Sequence, residues 1–173
     1  MSTIELIYID IKDISFGFGW KTLISYICSW VTWSSLIHVQ LNIGKDVYTI
    51  TMQGKYVEKR EKHDSNIYKY KKQIIPVNYN TYLQIHEEAE KMVREKVSFN
   101  YRGFFLYMLF PQSGELKNTC FCSEMCARIL KKAQILPKDF KPERTTPGSL
   151  FKIMENILKP EQELFDEKNL YIV

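Results

Sequence analysis

Alternating apolar and polar side chains predict strands in the first half of the chain. Residues 4–11 alternate in this way and are rich in isoleucine, which is typical of a strand with one buried face. Residues 35–43 and 47–53 are two β-branched runs joined by a short turn that contains Gly44, which indicates a β-hairpin. Further strands are predicted over residues 55–61 and 66–77.

A helical period replaces this alternation in the second half. Residues 80–97 carry an apolar stripe, and Asn80 is expected to cap the helix that they form. Residues 122–134 predict a helix whose buried face holds Met125, Ile129 and Leu130. Three less regular segments complete the pattern: an apolar helix over 20–32, a short helix or turn over 101–110, and a helix over 145–159.

Strands followed by helices predict an α+β fold in which an antiparallel sheet packs against helices. The chain has 173 residues and no repeat or linker-like segment, so we expect one domain over residues 1–173. The last residues, 160–173, are acidic and then apolar, and they are predicted to return a short strand to the sheet.

Composition and charge restrict the class of protein. Apolar residues make up 45% of the chain and charged residues 25%, as in folded proteins. The net charge of +4 is mild, and the basic runs at 55–64 and 68–72 indicate a solvated strand face more than a nucleic-acid surface. The chain opens without a secretory signal pattern, which favours a reducing, cytoplasmic setting.

One uncharged stretch, residues 22–44, is long enough to cross a bilayer. Several hydroxyl side chains and the polar His38, Gln40 and Asn42 would be costly in hydrocarbon. A buried helix that runs into a buried strand explains the stretch better. Peripheral membrane contact stays open as an alternative because three tryptophans are nearby: Trp20, Trp30 and Trp33.

Three cysteines fall within seven positions: Cys120, Cys122 and Cys126. Their spacing lacks the paired Cys-x2-Cys elements of structural zinc sites, so we expect neither a metal nor another cofactor. A disulfide is disfavoured by the reducing setting and by the geometry of two cysteines one helical turn apart. Inert core packing is the alternative for each of them.

Cys122 is the candidate nucleophile because it lies where the helix is predicted to begin. Free backbone N–H groups at a helix N-terminus favour a thiolate, lower its pKa and can bind an oxyanion. Cys126 lies one turn further in and is expected to fill the core.

His38 is the candidate base that a cysteine nucleophile requires. It stands within an apolar, β-patterned run, whereas His63 and His86 lie in polar surroundings and are expected to be solvated.

The ordered set of motifs resembles a known family. A strand with "IHVQL", a hairpin strand, a helix, "FNYRG", "FCSE" opening a second helix and then "TTPGSLF" are similar to the circularly permuted branch of the NlpC/P60 papain-like superfamily. Members occur in bacteria and in large DNA viruses, and lecithin:retinol acyltransferase-like enzymes are distant kin. The resemblance implies a permuted papain-like fold, with the base histidine preceding the nucleophilic cysteine.

The resemblance also implies a third catalytic residue on the strand paired with the histidine strand. If Ile43 pairs with Asp46, His38 falls opposite Thr51, and a shift of two residues brings Gln53 there instead. Thr51 and Gln53 are therefore the candidates, and no carboxylate lies in this window.

The expected activity is that of a thiol hydrolase or acyltransferase acting on a peptide, another amide, a thioester or a lipid-like ester. Two other interpretations stay open: a catalytically silent binding module of the same fold, and a nucleic-acid binder that uses the basic runs. Neither the substrate nor the oligomeric state follows from the sequence.

Overall fold

A computed structural model of the chain describes residues 2–13, 25–27, 29–30, 32–62, 70–102 and 118–169, with side chains as far as Lys159. The expectations for Trp20 and His63, and for most of the segment 101–110, concern residues outside these ranges. These described ranges contain seven strands: β1 (Ser2–Asp10), β2 (Leu36–Ile43), β3 (Asp46–Thr49), β4 (Glu58–Glu61), β5 (Tyr70–Val77), β6 (Ser98–Phe99) and β7 (Thr119–Cys120).

The main sheet contains five antiparallel strands in the order β4-β3-β2-β1-β5. β2 and β3 form the predicted hairpin, in which Ile43 pairs with Asp46 across a two-residue turn. Gly44 at the first turn position has a φ of 60°, which is the requirement of a type II′ turn. β6 and β7 form a separate parallel pair.

The described residues from 70 onward contain three long helices: α1 (Tyr79–Arg94) between β5 and β6, α2 (Cys122–Lys132) after β7, and α3 (Pro147–Asn169) after α2. One face of β1 and β2 packs against them, and Leu6, Val39 and Leu41 are fully buried there. The expected inward side chains of α2, Met125, Ile129 and Leu130, have no exposed surface. The molecule is therefore an α+β protein, as the pattern of apolar residues predicts.

Two predicted boundaries are wrong. The cap of α1 is Asn78 rather than Asn80, because the Asn78 side chain accepts a hydrogen bond of 2.8 Å from the N–H of Thr81. Residues 160–169 extend α3 instead of forming a strand. This segment is rich in glutamate, glutamine and lysine, which are better helix formers than strand formers.

The segment before β2 also differs from its prediction. Residues 25–27, 29–30 and 32 are helical as expected, but this helix is not buried, because Tyr26, Trp30 and Trp33 are exposed. Among the residues that the structure describes, no helix combines the length and apolar character needed to cross a bilayer.

Candidate active site

Cys122 is the first residue of α2, as predicted. Phe121 before it has an extended backbone, with φ −95° and ψ 170°. The carboxylate of Glu124 accepts a hydrogen bond of 3.2 Å from the N–H of Phe121 and one of 2.7 Å from Arg128. These bonds anchor the first turn of α2, which carries Cys122.

The sulfur of Cys122 lies among backbone donors. The backbone N–H groups of Cys122, Ser123 and Val39 lie near enough to the sulfur to favour its thiolate form. The first two belong to the exposed amides of a helix N-terminus. The third belongs to β2, so the sulfur lies near the backbone of the residue that directly follows His38.

The register of the hairpin explains why Val39 has a free N–H for this contact. In an antiparallel ladder, hydrogen-bonded and non-bonded pairs alternate. Because Ile43–Asp46 is a hydrogen-bonded pair, every second pair along the hairpin should be hydrogen-bonded as well. Val39 would then be paired with Ile50, and its N–H points toward β3. The ladder between β2 and β3 ends earlier, at Leu41 and Tyr48. The departure of β3 therefore opens a gap beside Val39, and the sulfur of Cys122 lies at this gap.

His38 lies at the same gap but points to the other face of the sheet. Its neighbour Val39 belongs to the core beneath the helices, and adjacent strand residues point to opposite faces. The Nε2 atom of His38 is 3.0 Å from Oγ1 of Thr49, the last residue of β3. This bond leaves Nδ1 as the ring nitrogen that can face the gap.

Thr49 therefore takes the place expected for Thr51 or Gln53. The Oγ1 atom of Thr51 instead accepts a hydrogen bond of 2.9 Å from the N–H of Gly54, and Gln53 is exposed. The predicted register is correct, but β3 bends away before it reaches Thr51. Thr49, two residues before Thr51 on the same face of β3, is the diagonal neighbour of His38 and contacts the imidazole instead. A search that included diagonal neighbours would have found Thr49 in the sequence.

Burial keeps both candidate groups neutral. Removal of His38 from water lowers its pKa to about 4, and the positive charge of Arg60 acts in the same direction. Burial also raises the pKa of the Cys122 thiol, while the three N–H groups around the sulfur oppose this shift. The sequence-based expectation of a lowered cysteine pKa is wrong, because burial outweighs the effect of the helix N-terminus.

The two neighbouring cysteines are core residues. Cys120 and Cys126 are fully buried, and burial raises the pKa of each thiol. All three described cysteines are free thiols. Cys122 is the only one of the three with part of its surface exposed.

One group of side chains has the composition of a metal site. Ligand atoms of Asp46, His86 and Glu90 lie within 4.8 Å of one another. However, the ammonium group of Lys59 is 2.9 Å from Asp46 and 2.7 Å from Glu90. A divalent cation would have to displace this lysine, so the group is better described as an ion-pair network between β4 and α1.

The basic runs are largely paired with carboxylates. Lys59 contacts Asp46 and Glu90, and Arg60 contacts Glu58 at 2.6 Å. Lys62 and Lys72 both contact Glu5, at 2.9 Å and 3.6 Å. These pairs reduce the positive potential that a nucleic-acid surface would need.

Comparisons of the chain with protein-family models, with curated proteins and with solved structures find no match. The α+β fold and the geometry around Cys122 are therefore the basis for a functional interpretation.

Proposed function

We propose that this protein is a cysteine-dependent hydrolase or acyltransferase of the permuted papain-like type. One observation carries the proposal: Cys122 begins α2, with its sulfur near backbone N–H groups that include the one of Val39, the residue after His38. A cysteine at a helix N-terminus, with backbone N–H groups that can bind an oxyanion, is an arrangement that supports thiol-dependent acyl transfer.

In this mechanism, His38 is the general base. With Nε2 bound to Oγ1 of Thr49, Nδ1 is the ring nitrogen left to act as the base. Because His38 points to the face of the sheet opposite α2, the imidazole can reach the Cys122 thiol only around the end of the β2–β3 ladder beside Val39. Nδ1 takes the proton of Cys122 as the sulfur attacks the substrate carbonyl carbon. The same proton then passes to the leaving amine, alcohol or thiol, and a thioester remains on Cys122.

A neutral base suits this scheme. Because the pKa of His38 is about 4, the imidazole can accept a proton throughout the neutral range. Because the pKa of Cys122 is raised, the thiol carries its proton until substrate arrives. Proton transfer and attack on the carbonyl are then coupled, in contrast to an enzyme that stores a thiolate–imidazolium ion pair.

The helix start supplies the oxyanion site. Backbone N–H groups of Cys122 and Ser123 already lie near the sulfur, so a carbonyl oxygen attached to the attacked carbon falls within their reach. Water then hydrolyses the thioester, or another nucleophile accepts the acyl group. Peptides, other amides, thioesters and lipid-like esters are all compatible with this chemistry.

The test is detection of the acyl-enzyme. The protein is mixed with p-nitrophenyl acetate, and intact mass spectrometry follows the added acetyl group while absorbance follows nitrophenolate. Cys122→Ala should abolish the adduct, and His38→Gln should slow its formation by about 10²-fold or more. Cys126→Ala is the matched control and should keep the adduct. An acetyl group that persists in Cys122→Ala would contradict the proposal.

The catalytically silent binding module has one observation in its favour. Thr49 is neutral, so it stabilises an imidazolium less than a carboxylate would. For this alternative we expect no adduct on Cys122 with p-nitrophenyl acetate or with more reactive thioesters, even though the protein is folded.

A further inference from the structure

The helical residues before β2 have their apolar side facing solvent. Tyr26, Ile27, Trp30 and Trp33 are exposed, and Trp30 and Trp33 show 75% and 90% of their surface. Positions 26, 30 and 33 lie on one face of a helix. The half-buried positions of the same segment instead carry hydroxyl groups, from Ser25, Ser29 and Thr32. Among the described residues of this segment (25–27, 29–30 and 32–33), this is the reverse of the pattern expected for a surface helix.

The end of this helix holds Trp33 in a defined position. The N–H of Trp33 donates a hydrogen bond of 3.3 Å to the carbonyl of Trp30. The N–H of Ser34 donates one of 3.2 Å to the carbonyl of Ser29. These are the two bonds of a Schellman motif, in which the residue after the cap adopts a left-handed conformation. Trp33 does so with a φ of 50°.

Two other helices end in the same way, which makes the tryptophan exceptional. Lys96 follows α1 with a φ of 50°, and Gln134 follows α2 with a φ of 60°. Both side chains are polar and exposed, as solvent favours. At the third such position the chain instead presents an indole ring to solvent.

The exposed charges described near these side chains are those of Lys12 and Lys71, whereas the carboxylate of Asp10 is buried. No formally charged residue occurs between Thr22 and Gly44. Asp10 accepts a hydrogen bond of 2.5 Å from Ser35, directly after the helical segment. The backbone N–H of Lys12 donates a hydrogen bond of 3.0 Å to the Asp10 carboxylate, and Lys71 pairs with Tyr8 at the same end of β1. Both lysines therefore lie at the end of the sheet where the helical segment leads into β2.

We propose that Tyr26, Ile27, Trp30 and Trp33 form a docking surface for the interfacial region of an anionic lipid bilayer. Tryptophan and tyrosine place an apolar ring and a polar N–H or O–H at the boundary between lipid and water. Lysines beside them attract anionic headgroups. A second copy of the chain fits less well, because a twofold contact through this surface would bring the lysines of both copies together.

The docking surface is independent of the proposed chemistry at Cys122. Ser34 and Ser35 connect the helical segment that carries this surface to β2. A bound bilayer would therefore lie at the end of the molecule where β2 begins. Binding to lipid can therefore be measured without a substrate.

The experiment uses the full chain with vesicles of phosphatidylcholine, either pure or with one fifth phosphatidylserine, and measures cosedimentation and tryptophan emission. We expect tighter binding to the anionic vesicles, with a blue-shifted emission. Trp30→Gln and Trp33→Gly should each weaken binding about tenfold or more. Lys12→Gln and Lys71→Gln should each weaken it about fivefold on anionic vesicles.

Gln134→Gly is the matched control, since it makes the same backbone change at an equivalent helix end. It should leave vesicle binding unchanged, and thermal unfolding of Trp33→Gly and Gln134→Gly should occur at or above the wild-type temperature. Absence of wild-type binding to anionic vesicles would overturn the proposal, as would binding that survives both tryptophan substitutions. A dimer that dissociates in Trp33→Gly, without vesicle binding, would assign the surface to a second copy instead.

Discussion

Two residues, Cys122 and His38, show how burial changes chemistry that local sequence suggests. A cysteine at a helix N-terminus ordinarily has a lowered pKa. In this protein the sulfur also packs between the sheet and α2, and loss of water raises the pKa of the thiol. The same loss of water lowers the pKa of His38 to about 4, so no imidazolium stands beside the sulfur at neutral pH.

Alkylation by iodoacetamide tests this assignment. Because the thiolate reacts, we expect the labelling rate of Cys122 to rise about tenfold per pH unit up to pH 9, without a plateau at acidic pH. Cys120 and Cys126 should label more slowly because they are fully buried. Peptide mass spectrometry of a labelling time course at several pH values gives all three rates.

The companion variant is His38→Gln. Since a neutral imidazole adds no positive charge, this substitution should change the Cys122 labelling rate by no more than about twofold near pH 8. A rate plateau below pH 7 that disappears in His38→Gln would instead demonstrate a thiolate–imidazolium pair.

At the scale of elements, the site depends on where strands and helices end. β3 leaves the sheet after Thr49, which frees the N–H of Val39 and places a hydroxyl group on Nε2 of His38. The start of α3 also lies close to the loop before β2. A β-carbon added at Gly148 would be 2.2 Å from Oγ of Ser34 and 2.7 Å from its β-carbon.

Gly148→Ala should therefore destabilise the protein, by roughly 1–3 kcal/mol, through overpacking against Ser34. Alanine is the better helix former, so a loss of stability would isolate the steric conflict. Urea unfolding provides the measurement.

Ser34→Gly supplies the control for this contact. Ser34→Gly removes the side chain that the methyl group introduced by Gly148→Ala would overlap. The double variant, Gly148→Ala with Ser34→Gly, should therefore lose less stability than the sum of the losses in the two single variants. Additive losses would show that the two positions do not conflict.

The cap of α1 offers a second test of an element boundary. Asn78→Ala removes the acceptor for the N–H of Thr81 and should cost about 1 kcal/mol of unfolding free energy. Asn80→Ala is the matched substitution inside the first turn, and it should be neutral or stabilising by about 0.5 kcal/mol. If urea unfolding showed a larger loss of stability for Asn80→Ala than for Asn78→Ala, Asn80 and not Asn78 would be the cap residue.

At the scale of the whole molecule, ion pairs connect the sheet to a helix and connect strands to one another. The network of Lys59, Asp46 and Glu90 links the sheet to α1, and Tyr48 adds a hydrogen bond of 2.6 Å to Glu90. Glu5 of β1 binds Lys72 of the adjacent strand β5 and Lys62, which follows β4. Most of the basic residues that resemble a nucleic-acid footprint in the sequence thus have partners within the protein.

The buried neutral His38 should make global stability depend on pH. Its pKa is about 4 in the folded protein and near 6.5 when unfolded, so only the unfolded chain takes up this proton between those values. Stability should therefore be full above pH 6.5 and fall as the pH drops toward 4. The urea midpoint of the wild type should decline over this window more than that of His38→Gln. Equal declines would show that His38 titrates normally in the folded state.

Local patterns in the sequence were sufficient for the five strands of the main sheet, the three long helices, the hairpin at Gly44 and the position of Cys122 at the start of α2. Each of these depends on side-chain period, turn residues or caps, which act over a few neighbouring residues. The sequence left the register of β2 against β3 open between alternatives, of which the structure has the one that pairs Ile43 with Asp46.

Tertiary structure alone decided which groups meet and which face water. Thr49 rather than Thr51 reaches His38 because β3 bends away, and Val39 offers its N–H to Cys122 for the same reason. The raised pKa of the thiol depends on the layer packed over it, and the exposure of Trp30 and Trp33 depends on how their helix lies against the domain. These properties arise from contacts between residues far apart in the chain. A local hydrophobic pattern contains no information about such contacts.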